Sequence, residues 1–400
     1  MVEICTYELI KHFNLIERNE NLKSNYHKII FLVEMRDPFS DATSSQIMAS
    51  NLLYGFNQIS DVTIFVPIVS KAVSRDNIQR KYRDRCDEIV FLELLTKINC
   101  NAYEALVSNM LNIMFNRGKI PDKLVNCIDD DTILITQAPG IDSILYANLL
   151  KKKFPKIKYI QYWADPVALS LIMPSQYSKK RMFHKFYESK AHRAADKIVY
   201  GTQSLYTSEL KLFPYIANKS IWVDVSYCPE SKDKREGYDE PVFGYFGNYY
   251  STIRNIVPFY KAATHYEGIK TIICGAGDIQ LNSNKNVSVM NRVPQIEVSE
   301  LESKIDVVVC ILNKVGMQIP GKVFYQTNTS KTILVIIDGP NQEEIVKELT
   351  KYNRFIFCKN DEKSILETMD NIVKRTIENN KFEAAGFSPA SVCKNIIEKK

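Results

Sequence analysis

A chain of 400 residues, 45% of them hydrophobic, is long enough to form two domains rather than one. Its formal net charge of +6 is modest and its lysines are spread along the chain, which argues against a nucleic-acid partner, because such proteins usually carry a dense basic stripe. No apolar run reaches the roughly 20 residues that a membrane-spanning helix needs, so any membrane contact is expected to be peripheral.

Short apolar runs rich in β-branched residues alternate with longer amphipathic stretches in the first half, which is typical of βαβ units with mostly parallel sheets. The predicted strands are, in chain order, 28–34, 62–66, 88–92, 132–137, 158–163, 197–200 and 221–227. A helix is predicted over 42–56, with Ser40 or Asp41 as its N-cap, and another over 178–194. This pattern predicts a first α/β domain over residues 1–228.

The alternation stops over residues 229–241, where polar and charged residues without apolar periodicity predict a linker. It resumes with strands at 242–246, 271–274, 287–290, 306–312, 332–337 and 354–357, and helices at 253–266, 295–303, 322–329, 343–349 and 362–376. A second doubly wound domain over 242–388 fits this pattern, followed by a helix at 389–400 that folds back on the first domain. Open parallel sheets bind ligands beyond the carboxyl ends of their strands, so the chemistry is expected in the cleft between the domains.

The first candidate motif follows the strand at 242–246, where Gly247 and Asn248 form a turn before the predicted helix. A glycine there lets a ligand approach the backbone, and the N–H groups of the helix start attract an anion. Ser251 or Thr252 can cap this helix. Arg254 lies in its first turn, where a cation opposes the helix dipole, and a phosphate facing Arg254 would account for that charge. An exposed arginine beside an ordinary turn is an equally good interpretation.

The strongest motif is Pro320-Gly321-Lys322, at the start of the helix predicted over 322–329. Proline is favoured in a first helical turn, and the small Gly321 leaves the helix N–H groups open to an anion. Lys322 adds a flexible positive charge next to these groups, which together would hold a diphosphate. The alternative is a plain proline-initiated helix with a solvated lysine.

The order of these motifs resembles the donor domain of GT-B glycosyltransferases, especially the retaining group 1 (family 4-like) enzymes that build bacterial polysaccharides. The matching residues are Gly247-Asn248, the turn Gly275-Ala276-Gly277, then Pro320-Gly321-Lys322-Val323-Phe324 and Ser330-Lys331-Thr332-Ile333-Leu334. A lone Gly-x-Gly turn carries little weight, but the order of all four spans most of 242–375. The resemblance implies a GT-B fold, with two Rossmann-like doubly wound domains facing each other across a cleft.

The donor site expected on this basis has two parts. The donor diphosphate would be bound by Lys322, Arg254, Ser251, Gly321 and Asn248, and the nucleotide or sugar by Gly247, Gly275, Gly277, Gln318 and Tyr325. One position departs from the family, because Tyr325 stands where a glutamate usually holds the ribose. A tyrosine offers one oxygen and a ring, so the donor is unusual or differently held, or the chain is a catalytically silent member.

Two aspartates are candidates for the acceptor side. Asp37 lies in the loop after the first strand, and Asp165 follows the strand at 158–163. Either carboxylate would serve as a general base in an inverting enzyme, whereas a capping or turn role is the alternative for both. A retaining enzyme needs no such base, because the departing diphosphate can itself take the acceptor proton. With five histidines and no paired ligand spacing, no metal site is predicted, and His184 and His192 are expected to be surface or packing residues.

The resemblance thus implies a hexosyltransferase-like enzyme, expected to be retaining, that moves a sugar from a nucleotide-sugar to a glycan or lipid-linked acceptor in polysaccharide or glycoconjugate biosynthesis, with no cofactor beyond the donor. Nine cysteines without a Cys-x-x-Cys pair, and the absence of an export signal, predict a cytoplasmic protein. The basic run at 151–159 suits the inner face of a membrane, although a solvated helix end explains it as well. The alternatives are a silent GT-B subunit that binds a partner transferase or glycan, and a nucleotide-sugar 2-epimerase, for which several cleft histidines and carboxylates would be expected.

Overall fold

The computed structural model describes residues 28–39, 43–60, 63–95, 112, 118–169, 179–231, 233, 240–339, 342–376 and 384–400. The strands are β1 (Lys28–Glu34), β2 (Thr63–Val69), β3 (Glu88–Ile89), β4 (Leu92–Glu93), β5 (Thr132–Ala138), β6 (Lys158–Trp163), β7 (Lys197–Tyr200), β8 (Ser220–Trp222), β9 (Val242–Phe246), β10 (Lys270–Cys274), β11 (Val287–Met290), β12 (Val307–Ile311), β13 (Thr332–Ile337) and β14 (Ile356–Lys359). The α-helices are α1 (Ser44–Ile59), α2 (Arg75–Tyr82), α3 (Asp122–Val125), α4 (Ile141–Lys153), α5 (Lys179–Ala194), α6 (Gln203–Leu212), α7 (Val257–His265), α8 (Gln295–Glu302), α9 (Lys322–Tyr325), α10 (Glu343–Thr350), α11 (Glu362–Val373) and α12 (Pro389–Glu398).

Two separate sheets organise these elements. The first contains eight strands in the order β3-β2-β1-β5-β6-β7-β8, with β4 also paired to β2, and the second contains six in the order β11-β10-β9-β12-β13-β14. Every pairing within the named strands is parallel. The strand order reverses at β1 and at β9, which opens a crevice at the carboxyl end of each sheet. The predicted fold class, two Rossmann-like doubly wound domains, is confirmed.

Burial of both sheet faces explains why the strands read as continuous apolar runs. Ile29, Ile30, Phe31 and Leu32 of β1 are all fully buried, although they alternate between the two faces. The predicted bounds of β1, β6, β7, β9, β11 and β13 are confirmed. The apolar runs in the sequence identified these strands because the elements packed on both faces of each sheet bury apolar side chains at every position.

The helix at the end of the chain packs on α1 of the first domain. A Cβ atom at Gly55 would lie 2.2 Å from the backbone oxygen of Pro389, so only glycine permits this approach. The thiol of Cys393 donates to the backbone oxygen of Leu52 at 3.2 Å. The second half of the chain is therefore fastened to the first by more than the linker.

Some predicted element boundaries in the first domain are wrong. α1 is capped by Thr43, which forms a capping box with Gln46, whereas Ser40 and Asp41 lie outside the described residues. The strand predicted over 221–227 ends at Trp222, because the chain then crosses to the second domain, where the Cys228 amide donates to the Tyr325 backbone oxygen at 3.0 Å. The strand predicted over 88–92 is two short strands, β3 and β4, which pair with opposite ends of β2.

The predicted end of the helix at 322–329 is also wrong, because α9 ends at Tyr325. The hydroxyl groups of Thr327 and Thr329 donate to backbone oxygens three residues earlier and so compete with helical hydrogen bonds. The carbonyl oxygens of Thr329 and Lys331 instead accept from the buried guanidinium of Arg354, 2.7 Å away in each case. Arg354 therefore lies outside the strand that was predicted at 354–357, because β14 begins at Ile356.

None of the described helices is long and apolar enough to cross a bilayer. The described residues include seven cysteines, all free thiols, of which five are buried.

Candidate functional site

A cavity of about 500 Å³ lies between the two domains, at the carboxyl ends of their strands. This volume is in the range of ligand sites, roughly 300–1,000 Å³. The first domain contributes Ser44, Ser45, Met48, Pro139, Ala164, Asp165, Pro166, Val167, His184, Gly201, Thr202, Leu205 and Val225 to the wall, and the second contributes Tyr250, Ile253, Arg254, Asn313, Gln318, Ile319, Pro320, Gly321 and Lys322.

Lys322 reaches from α9 to the carboxyl end of β9. Its Nζ donates to the backbone oxygen of Phe246 at 2.6 Å and lies 4.5 Å from the centroid of the Tyr245 ring. Burial, and then the charge of Arg254, lower the pKa of Lys322 to about 7. Gly247 makes room for this ammonium group, since its φ is +140° and a Cβ there would lie 2.3 Å from Nζ.

Arg254 is the second cation of the cavity. Its Nη1 donates to the backbone oxygen of Asn248 at 3.2 Å and its Nη2 to Oδ1 of Asn313 at 2.7 Å. Its Nε is buried and has no hydrogen-bond partner among the described residues. Among the described residues, neither Arg254 nor Lys322 forms an ion pair. Two adjacent cations with an unused donor form a site suited to an anion.

The turn before α7 differs from the prediction. α7 begins at Val257 instead of 253, because Asn255 Oδ1 accepts from the Val257 amide and Pro258 favours the first helical turn. Ser251 therefore does not cap the helix. Its amide and hydroxyl both bind the carboxylate of Asp278, at 2.9 and 2.7 Å, and it does not line the cavity. Arg254 lies in the turn itself and not in a helix.

The two glycines of the Gly-x-Gly turn hold neighbouring backbones together. A Cβ at Gly275 would lie 2.0 Å from the Gly247 backbone oxygen, and one at Gly277 would lie 1.9 Å from that of Tyr249. The Tyr249 amide donates to the backbone oxygen of Ala276 at 3.0 Å. Neither Gly275 nor Gly277 lines the cavity, so the structure gives both a packing role beneath the anion site.

Pro320, Gly321 and Lys322 all line the cavity, but α9 is only four residues long. Its dipole is correspondingly small, so the attraction for an anion rests mainly on the Lys322 ammonium.

Tyr325 does not line this cavity. Its hydroxyl donates to the backbone oxygen of Ser44 at 2.8 Å and lies 2.9 Å from Ser44 Oγ. Tyr325, which the sequence predicted to bind the nucleotide or sugar, thus joins the second domain to the first.

The structure separates the two candidate aspartates. Asp165 lines the cavity and accepts a hydrogen bond from Nε2 of Gln318, and burial raises the pKa of Asp165 above its usual range. Asp37 does not line the cavity; it accepts from Nδ2 of Asn77 at 2.6 Å and from the amide of Phe39 at 3.0 Å. Of the two, only Asp165 is placed to meet a ligand.

Sequence reasoning missed His184, which lines the cavity with its Nδ1 at 3.3 Å from the Val167 backbone oxygen. The helical spacing of His184, Tyr187 and Glu188 places all three on one face of α5, and this was the available signal. His192 is the packing residue that was predicted: it is fully buried against Trp163, and burial lowers its pKa to about 3.

The described residues contain no group of three His, Cys, Asp or Glu side chains that could hold a metal ion. The basic run begins at the end of α4 and enters β6 from the side away from the cavity. There Lys151 pairs with Asp196 at 2.7 Å, and Lys158 donates to the Ile397 backbone oxygen at 3.0 Å.

No family model and no curated protein matches this sequence. Among solved structures, Anabaena HepE in complex with UDP and glucose is 10% identical and aligns over 93% of this chain and 94% of its own, with a TM-score of 0.56. Sucrose-phosphate synthase from Thermosynechococcus elongatus is 10% identical over 93% and 94%, with a TM-score of 0.55. A UDP-N-acetylglucosamine 2-epimerase is 11% identical over 94% and 96%, with a TM-score of 0.53. The resemblance expected from the motifs is confirmed at the level of the fold, and the chain has the GT-B fold.

Proposed function

We propose that this chain is a glycosyltransferase that uses a nucleoside-diphosphate sugar as donor. The observation that carries the proposal is the pair of cations, Lys322 and Arg254, in the cavity between the domains, with the Arg254 Nε unused. A diphosphate would supply the negative charge and the acceptor oxygens that these groups lack. The complex of HepE with UDP and glucose, which has the same fold, supports this choice.

In the proposed reaction the diphosphate lies against Lys322 and Arg254, and the acceptor lies against the first-domain wall near Asp165. The acceptor oxygen bonds to the anomeric carbon while the bond from that carbon to the phosphate oxygen breaks. The acceptor proton passes to the departing phosphate, whose charge the two cations stabilise. We propose retention of configuration on the resemblance to the retaining GT-B enzymes, with the departing phosphate as the proton acceptor. Asp165, the single carboxylate among the described lining residues, would then orient the acceptor hydroxyl.

The acceptor is proposed to be a glycan or a lipid-linked sugar. The first-domain wall supports this, because apolar side chains such as Met48, Val167 and Leu205 alternate there with the hydroxyl groups of Ser44 and Thr202. Such a surface matches the mixed faces of a sugar ring. A role in polysaccharide assembly in the cytoplasm, at the inner face of the membrane, belongs to the same proposal.

An epimerase is the principal competitor, since one structural neighbour is a 2-epimerase. The described cavity wall holds one carboxylate, Asp165, and one imidazole, His184, which is fewer acid–base groups than we expect for epimerisation. A silent subunit is the other competitor, because the Tyr325 hydroxyl is already bonded to Ser44. The cation pair favours an enzyme that binds a nucleoside diphosphate over the silent subunit, and the small number of acid–base groups favours the transferase over the epimerase.

The test is a thermal-shift and calorimetric screen against UDP, GDP, CMP and ADP and their sugars, since a ligand that binds the native state raises its stability. One nucleotide should stabilise the wild type but not Lys322→Ala. The same nucleotide should stabilise Lys314→Ala, a control at an exposed lysine on the preceding loop. The matching sugar donor, incubated with candidate glycans, should then release nucleoside diphosphate. Conversion of the donor to its epimer would indicate the epimerase instead, and no binding at all would indicate the silent subunit.

A further inference from the structure

One face of α5 holds two separate segments of the cavity wall. The hydroxyl of Tyr187 donates to the backbone oxygen of Pro139 at 3.0 Å, and Pro139 lines the cavity. One residue further along α5, Oε2 of Glu188 accepts from the amide of Ala168 at 2.8 Å. Ala168 directly follows Val167, the last of four consecutive wall residues that begin at Ala164 and include the candidate Asp165. Glu188 therefore ties the Asp165 segment to the body of the domain, together with His184, whose Nδ1 lies 3.3 Å from the Val167 backbone oxygen.

Glu188 faces a second buried carboxyl group, that of Glu209 on α6. Both side chains are fully buried. The two carboxyl groups interact with each other. No other described residue forms a hydrogen bond with Oε1 of Glu188 or with either carboxyl oxygen of Glu209. Two carboxylates buried side by side without a cation cannot both carry a charge at an acceptable cost. A proton held between them removes one charge and gives the unpaired oxygens a hydrogen bond.

No cation among the described residues lowers the pKa of either carboxyl group; Arg193 of α5 acts on Tyr215 instead. The titratable groups that face it from the neighbouring elements are Tyr187 on α5, Tyr200 on β7 and Tyr215 in the turn after α6, and burial raises the pKa of all three. His192, close to Tyr200, is neutral because burial lowers its pKa to about 3. Lys219 points away, since its Nζ donates to the backbone oxygens of His192 and Ala195.

We propose that Glu188 and Glu209 hold a proton between them and thereby fix the wall segment 164–168, so that Glu188 is a positioning residue for Asp165. Loss of the last proton places two negative charges in a closed space between α5 and α6. The repulsion separates the two helices and releases the Ala168 amide. Burial raises the pKa of Glu188 to about 7, and burial followed by the Glu188 charge raises that of Glu209 to about 9, which sets the pH range to examine. Only the effect on sugar transfer rests on the proposed function.

The first test follows thermal stability from pH 5 to pH 9.5. A carboxyl group whose pKa is raised on folding stabilises the native state at low pH and loses that contribution as the pH rises through its folded pKa. The melting temperature of the wild type should therefore fall more steeply than that of Glu209→Gln, which cannot ionise. Glu300→Gln, a matched change at an exposed glutamate, should follow the wild type. If Glu209→Gln and the wild type keep parallel profiles, the pair does not titrate and the inference is wrong.

The second test measures amide hydrogen exchange over residues 164–169. We expect Glu188→Ala to exchange at least tenfold faster there than the wild type at pH 7, and Glu188→Gln to remain close to it, because its amide oxygen still accepts from Ala168. Unchanged exchange in Glu188→Ala would refute the positioning role. Should that variant not fold, the wild type itself gives the answer: after correction for intrinsic exchange, its protection over these residues should fall between pH 7 and 9.5 while that of Glu209→Gln does not. Equal profiles would again refute the role.

Donor binding separates this inference from the proposed function. Both variants leave the cations of the second domain untouched, so the nucleotide that stabilises the wild type should bind Glu188→Gln and Glu209→Gln equally well. If no nucleotide binds the wild type, the proposed function fails, yet the stability and exchange measurements still decide on the carboxyl pair. In a transfer assay, Glu188→Ala should lower kcat or raise the acceptor KM while the donor KM stays unchanged. A change confined to the donor KM would contradict positioning through Asp165.

Discussion

Replacing Lys322 by methionine removes one charge from the anion site and keeps an apolar side chain of similar length. A hydrogen bond from a charged group contributes about 1.5–3 kcal/mol, so the nucleotide should bind the variant roughly 10–150-fold more weakly. The wild type should also show a pH dependence. The pKa of Lys322 is about 7 in the empty site, and a bound diphosphate raises it. Between pH 7 and 9 the wild-type affinity should fall by up to about tenfold per pH unit, and that of Lys322→Met should not.

The same substitution should stabilise the empty protein. Because the folded pKa of Lys322 lies below that of the unfolded chain, the charged ammonium destabilises the native state fully below pH 7, and the penalty disappears as the pH rises towards 10.5. The lowered pKa corresponds to at most about 5 kcal/mol. Lys322→Met should therefore unfold at higher urea concentration than the wild type at pH 7, with a difference that shrinks by pH 10.

Isothermal calorimetry at four pH values and urea unfolding provide both readouts, with Lys314→Met as the exposed control. The reasoning is refuted if Lys322→Met binds the nucleotide within twofold of the wild type, or if the wild-type affinity is constant from pH 7 to 9. A variant that is less stable than the wild type at pH 7 would show that the ammonium is better solvated than its contacts indicate.

Three further changes test other contacts. Gly275→Ala places a methyl group 2.0 Å from a neighbouring backbone oxygen, so we expect a loss of more than about 2 kcal/mol in urea unfolding, whereas Gly386→Ala meets open space and should be neutral. Tyr325→Phe removes the hydroxyl bonded to Ser44 and should cost about 1–3 kcal/mol without weakening nucleotide binding more than threefold; a larger binding defect would mean that the hydroxyl contacts the donor. Asp165→Asn should leave nucleotide affinity unchanged and reduce transfer to the acceptor at least tenfold, and full transfer activity would exclude Asp165 from the acceptor site.

Local sequence determined the architecture of this protein. The apolar run from Ile29 to Val33 is buried on both sides whatever the details of its neighbours, so its composition alone identifies a strand of a parallel sheet. Glycines at the ends of β9 and β10 likewise predicted turns, but the sequence assigned Gly275 and Gly277 to ligand binding, and their close backbone contacts were seen only in the structure. Such signals depend on residues within a few positions of each other, and they suffice for the order of strands and helices.

The tertiary structure decided which of the candidate side chains meet. Ser251 and Arg254 are three residues apart, yet the first is held by Asp278 and only the second lines the cavity. Asp37 and Asp165 had equal standing in the sequence, and only Asp165 reaches the cleft. These outcomes depend on turn geometry and on contacts between distant segments, about which the composition of either segment carries no information.

The contacts across the two domains are the clearest case. Tyr325 meets Ser44 and Gln318 meets Asp165, over separations of 281 and 153 residues. The sequence gives the identity of each side chain, but its partner depends on how the two sheets dock. The Pro320-Gly321-Lys322 motif was therefore visible in the sequence, whereas the first-domain wall that faces it required the tertiary structure.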